Sequence, residues 1–442
     1  MSDLSTSELA IATKYDLVQK MIPFFDRHLV YPILESLGDI YDEKTITKLT
    51  FELFKETNMT NFLETQWKAL GGGGLPAEIV ARKQENEKEF ARLSEETKKV
   101  LDVLSQQEVQ DHLKQDKNLN QEYLLKNHSI TEADVDKLYE FGQFQYNSGD
   151  YVMASDLLSN FRALSTNSEK VLNATWGKLA CDIIRTEWDS ALKELGKLRE
   201  VIDSRSFAEP LTQLHHRTWI IHWSLFPFYN AENGLESLLD LFFSSSYMST
   251  IQAASPWILR YLVAAVVSSE SSTKNNLSNP NFQKRLKDLI RVVGQEQYEY
   301  NDPLTDFIKA LYIDFDFEEA NAKLNESLVI LKTDFFLSNI SDIFVKNARH
   351  LISEVYCRVH QKIDLNDFSK SLNLSREEGE KWIANLIKET KMDAKIDESE
   401  GTVILNHPQN SVYQQVIEKT KGLSFKANQI LATALQKQDN VQ

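Results

Sequence analysis

Cysteine is nearly absent: Cys181 and Cys357 are the only two in 442 residues. A disulfide framework needs more of them, and a structural zinc site needs ligands at close spacing. Their lack points to a reducing compartment, cytosol or nucleus. Glycine (14) and proline (9) are also scarce. Both punctuate the turns of β proteins, so their rarity beside abundant Leu, Glu, Lys and Gln indicates a mostly helical chain. No apolar run approaches the length of a bilayer; the longest, Tyr261 to Val267, is far too short. The opening MSDLSTSELAIATKYDL has no basic leader before an apolar stretch, so it is not read as a signal peptide. Cations are outnumbered, 49 Lys and Arg against 65 Asp and Glu, a net charge of −16. That sign disfavours duplex DNA or an anionic membrane as the main ligand, though a local basic patch is compatible with it.

Motifs with chemistry are missing as well. The sequence has no GxxxxGK, GxSxG, HExxH or GxGxxG. Gly71 to Gly74 lacks the Lys-Ser/Thr that would make it a phosphate loop. His215 and His216 are adjacent and face different ways on a helix, and His222 is poorly spaced from His216 for one face. Asp314, Asp316, Glu318 and Glu319 lack the spacing and glycine of a calcium loop and suit a solvated helix start. The expectation is no catalytic residue, no cofactor and no metal.

What is present is helical periodicity. Leu17, Met21, Phe24, Phe25 and Leu29 share a spacing that predicts a helix, with Pro23 either kinking it or starting a new one. Residues 1–70 read as a helical segment, and 71–130 as a glycine link followed by a charged helix. On that helix Phe90, Leu93, Thr97, Val100 and Leu104 form a short seam. From 131 to 345 the pattern is a loose tetratricopeptide-like repeat. Gly142, Gly149, Tyr151 and Ala154 sit where a small residue, a turn and the packing face of a second helix fall. Trp188 and Ala191 follow Tyr151 and Ala154 by 37 residues each (188 − 151, 191 − 154), with Trp176 on the preceding helix. The two tryptophans are read as packing residues. An aromatic ligand cage would need convergent polar groups, and the neighbouring sequence offers only surface charges. The whole stretch predicts a right-handed helical solenoid.

Residues 346–407 change character. Helix, short extended piece at Ile363, helix, a capping box from Ser375 to Glu378, helix, and a hairpin around Glu400-Gly401 are the order of a winged helix. Residues 408–442 carry Val416, Thr420, Leu423, Ala427, Ile430 and Ala434 at spacings of 4, 3, 4, 3, 4, a bundle-forming seam.

Helical repeats running into a winged helix and a terminal helix resemble the PCI-domain proteins, with the PCI domain at about 220–407. Longer strings narrow the resemblance: YDLVQKMIPFFDRHLVYPILE, WGKLACDIIRTEWDSA, IIHWSLFPFYN, ILRYL, DPLTDFIKALYIDFDFEEA, NARHLISEVYCRVHQKI, DAKID and YQQVIEKTKGLSF. In this order they are similar to the Int6-like family of PCI subunits in eukaryotic translation initiation factor three. The resemblance implies a non-catalytic cytoplasmic scaffold. It would neighbour subunits a, c, d, k and l and help the complex bind the small ribosomal subunit and recruit messenger RNA and initiator tRNA. A scaffold of the proteasome lid or the signalosome is the first alternative, and a winged-helix nucleic-acid binder the second.

Charge weighs against the second. In the third helix of the winged unit Arg376, Lys381, Lys388 and Lys391 are offset by Glu377, Glu378, Glu380 and Glu389. The wing adds Asp393, Asp397, Glu398 and Glu400 around Lys395. A groove-reading helix should be net basic. Specific DNA binding is not expected, and RNA contact would be peripheral. Candidate interaction residues are therefore Trp382, Ile383 and Lys395 in the winged unit, and Tyr413, Ile417, Leu423, Ile430, Leu431 and Leu435 on the terminal helix.

Overall fold

The computed structural model describes residues 5–74, 76–106, 109, 117–204, 209–269, 280–371, 375–390, 394–397, 401–405 and 412–439. They belong to two compact units, Met1–Arg349 and His350–Gln442. The polar loop 270–279, Lys391 and the wing acids Asp393, Glu398 and Glu400 lie outside the described residues.

The first unit is built of helical hairpins. Thr131 caps Glu132–Ser148 reciprocally with Asp134 and starts it. Gly149, at φ +92°, ends it in the left-handed conformation that glycine adopts without strain. Asp150 then caps Tyr151–Leu164 by accepting from the Met153 N–H. Ser168–Ile184 and Trp188–Ser204 repeat the hairpin, and each of these helices packs on the next. The seam helix, Ala77–Leu104, lies on the first of them. Leu93, Thr97, Val100 and Leu104 are buried there, while Phe90 stays exposed. The seam thus closes the side of the repeat core around Leu138, Phe141 and Phe161.

The N-terminal residues fold back across the repeats. Leu17 and Leu29 do not share one continuous helix. Pro23 sits in a 3-10 turn, Ile22–Phe24, Phe25 is extended, and Asp26 caps a new helix, Arg27–Ser36, by accepting from the His28 N–H. The breaks turn the chain so that Thr6–Lys14 packs on Phe317–Thr333 and Arg27–Ser36 packs on Ser168–Ile184. The Trp223 indole N–H donates to the Phe24 carbonyl at 2.9 Å. In the glycine run Gly71, Gly73 and Gly74 are exposed, and only Gly72 lies against a side chain. Trp67 donates to the Gly74 carbonyl, and a Cβ on Gly72 would come within 2.3 Å of the Trp67 ring.

Arg260 ties this arrangement together. Among the described residues no single helix is long and apolar enough to cross a membrane. The apolar helix Leu259–Ser268 is buried along its length, and Arg260 is its one charge. The guanidinium donates to Asp302 at 2.6 Å, to Asp334 at 3.4 Å and to the Tyr15 carbonyl at 2.6 Å. Tyr300 and Tyr261 donate to the same two carboxylates. A buried charge is tolerated only when paired and hydrogen-bonded this completely.

The second unit holds the end of Ser341–Val359, then β1 (Lys362–Asp364), Leu365–Ser371, Arg376–Thr390, β2 (Ala394–Asp397) and β3 (Thr402–Leu405). The sheet order is β1-β3-β2, antiparallel throughout, with Ile363 and Ile396 both opposite Val403. The Ser375–Glu378 capping box is formed, and Gly401, at φ +66°, precedes β3. This is a winged helix on the end of a helical-repeat chain, the fold class read from the sequence.

Candidate functional site

The repeat glycines and alanines lie where helices approach. A Cβ on Gly142 would stand 3.0 Å from Leu158, and Ala154 and Ala191 are fully buried. Tyr151 hydrogen-bonds the His28 ring at 2.9 Å, which joins the hairpin to the N-terminal segment. Burial, then Asp26, pushes its hydroxyl pKa up to about 12. Trp188 begins its helix half-buried.

Trp176 packs, and it also forms the wall of a concavity of about 560 Å³. Trp223 and Trp219, from Pro210–Asn230, meet its ring edge-to-face at 4.9 and 6.0 Å. Trp219 stands at the mouth, 38% exposed. Asn173, Gln143 and Asn147 supply amides, and Asp26 supplies a carboxylate. The convergent polar groups that the sequence did not offer are therefore present. Asn173 is on the helix of Trp176, but Asp26 comes from a turn about 150 residues earlier and Gln143 and Asn147 from a neighbouring hairpin, so no local pattern could announce the set. Aromatic spacing at 219 and 223 was the only visible signal.

His222 illustrates the opposite case. It is fully buried, with Nδ1–H donating to the Thr218 carbonyl at 2.8 Å and Nε2 accepting from Trp257 at 3.1 Å. Phe24 stacks on the ring at 4.6 Å. Burial lowers its pKa to about 4, so both nitrogens serve the neutral form. Among the described residues no three His, Cys, Asp or Glu side chains gather as metal ligands.

In the winged unit Ile383 is a core residue, while Trp382 is half-buried and donates to the Ser353 hydroxyl at 2.9 Å. Lys395 is exposed on β2, opposite Ile404. Arg376 spends its charge on Glu380 in its own helix, 3.3 Å away. The terminal helix, Val412–Asp439, is 28 residues long. Every described side chain from Tyr413 to Leu431 is exposed. Tyr413 reaches 82%, Leu423 66% and Ile430 70%, with Ile417 and Leu431 also above half. Leu435 is on the same helix, its side chain outside the described residues. So many exposed apolar side chains along one helix are unusual for a monomer.

Helical repeats, a winged helix and an unburied terminal helix define a PCI-type scaffold. Sequence comparison agrees: residues 328–407 match the PCI domain model. Residues 16–145 match the eIF3 subunit 6 N terminal domain, and 411–432 the C-terminal region of the E subunit of eukaryotic translation initiation factor 3. The proteins named as that E subunit in Yarrowia lipolytica and Aspergillus fumigatus are 55% and 50% identical to it. The alignments cover 95% and 97% of this chain and 98% and 94% of theirs. The chain belongs to the E-subunit family of eukaryotic translation initiation factor 3.

Proposed function

We propose that the chain acts without catalysis, as a cytoplasmic scaffold that holds other subunits of initiation factor 3 in place. Its neighbours would be subunits a, c, d, k and l, with the small ribosomal subunit as the body the assembly binds. There it would help recruit messenger RNA and initiator tRNA, with at most peripheral RNA contact of its own. The exposed apolar stripe of Val412–Asp439 carries this reading. Burying each such side chain against a partner helix is worth about 1.5–3 kcal/mol, a gain the isolated chain forgoes. Tyr413, Ile417, Leu423, Ile430, Leu431 and Leu435 are the proposed bundle contacts. Trp382, Ile383 and Lys395 shape the winged unit for a neighbouring subunit.

The test is affinity purification of the tagged full chain, and of a chain lacking 409–442, from its own cells. The full chain should bring down initiation-factor subunits that co-migrate with small ribosomal subunits. The shortened chain should stay folded but lose them. Full occupancy of the complex by the shortened chain would refute the role of the terminal helix, and recovery of lid or signalosome subunits would refute the reading as a whole.

A further inference from the structure

We propose that the concavity between Trp176 and Trp219 is a binding site for a cationic side chain, arginine or lysine, carried on an extended segment of a partner protein. Charge, shape and incompleteness each favour this occupant. Among the described residues lining the space, Asp26 is the only charged one. Its Oδ1 already accepts from the His28 N–H and the Tyr146 hydroxyl. Among the described residues no donor reaches Oδ2. The neighbouring Arg27 is paired with Glu56, and Lys170, beside Tyr139, is held by Asp136 at 2.8 Å. A carboxylate and indoles lining one space together attract a guanidinium or ammonium, because the ring faces carry negative charge density.

The volume, about 560 Å³, exceeds one side chain and suits a short stretch of polypeptide. The amides of Gln143, Asn147 and Asn173 can donate to or accept from such a backbone. Trp176 adds a buried indole N–H with no acceptor among the described residues, where Trp223 has given its own to Phe24. A phosphate backbone would meet the Asp26 carboxylate with no cation among the lining residues, which disfavours RNA even though its bases stack on indoles. This surface is separate from the winged unit and the terminal helix. Its occupant could fail to exist while the scaffold reading stands.

The experiment uses the full chain labelled with 5-fluorotryptophan, the Trp219 resonance being assigned by Trp219→Phe. Fluorine spectra are recorded against the blocked pentapeptide Ac-Gly-Ser-Arg-Ser-Gly-NH₂, its citrulline counterpart and oligouridylate. The arginine peptide should shift Trp219 saturably, at least about tenfold more tightly than the citrulline peptide, which keeps the shape and removes the charge. Asp26→Asn, which keeps the helix cap, should abolish that preference without altering thermal unfolding. Trp219→Ala, which leaves every charge in place, should abolish arginine-peptide binding measured by isothermal titration. Equal binding of the two peptides would overturn the proposal. So would binding that survives Trp219→Ala, which would mark diffuse attraction to an acidic chain, or a preference for oligouridylate.

Discussion

His222 has both ring nitrogens committed to the neutral form, so protonation must break one of them. The folded pKa, about 4, lies below the ordinary value of 6.5. Between those values the unfolded chain binds more protons, so folding loses stability as pH falls from 6.5 toward 4. Burial lowers the pKa of His28 too, and it acts in the same direction. For His222 alone the loss is on the order of 3 kcal/mol. Urea midpoints measured at pH 7.5 and 5 should fall with acidity, and His222→Asn should flatten that dependence. Gly234 makes a different residue-scale demand. A Cβ there would stand 2.2 Å from the Phe228 carbonyl oxygen, which is backbone and cannot swing aside. Gly234→Ala should therefore destabilise by about 1–3 kcal/mol despite the better helix propensity of alanine. Thermal unfolding of the single variant checks this.

At the scale of elements the terminal helix offers a clean contrast. Its apolar residues face solvent in the isolated chain, so charging them removes nothing from the fold. Leu423→Asp with Ile430→Asp should leave thermal unfolding within about 0.5 kcal/mol of the parent. It should lower co-purification of partner subunits at least about tenfold, since two buried apolar contacts are lost. Elements like this one are legible because their signals are local. The spacing of Val416 to Ala434 lies within five turns, Thr131 and Asp134 are three residues apart, and the Ser375–Glu378 box and the hairpin at Gly401 are equally short-range. The Trp176 concavity is not local. It needs Asp26, and the turn that presents Asp26 exists because Pro23 breaks a helix that periodicity alone would continue.

At the scale of the first unit, the question is what holds the chain's beginning to residues more than two hundred positions away. Apolar packing contributes, but it is not specific to one register, whereas the Arg260 cluster is. One guanidinium reaches the Tyr15 carbonyl, Asp302 at the start of Pro303–Lys309, and Asp334 at the end of Phe317–Thr333. Burial pushes the Asp334 carboxyl above its ordinary pKa against the pull of Arg260, so the pair is held under a desolvation cost that only its partners offset. A lone arginine inside the apolar run ILRYLVAAVV is the one sequence trace of this. Arg260→Met fills the volume but strands two buried carboxylates, which should cost about 3–5 kcal/mol. It should also free the Tyr15 carbonyl. Backbone amides of 6–36 would then exchange hydrogen faster than those of the hairpins at 132–204. The triple variant Arg260→Met, Asp302→Asn, Asp334→Asn removes the charges together and should recover most of the lost stability, because neutral partners no longer need the cation. If the single variant lowers the urea midpoint and speeds exchange in 6–36, and the triple variant restores the midpoint but not the slow exchange, then the cluster's role is to fix where the N-terminal segment lies. Equal exchange in all three proteins would assign that task to packing alone.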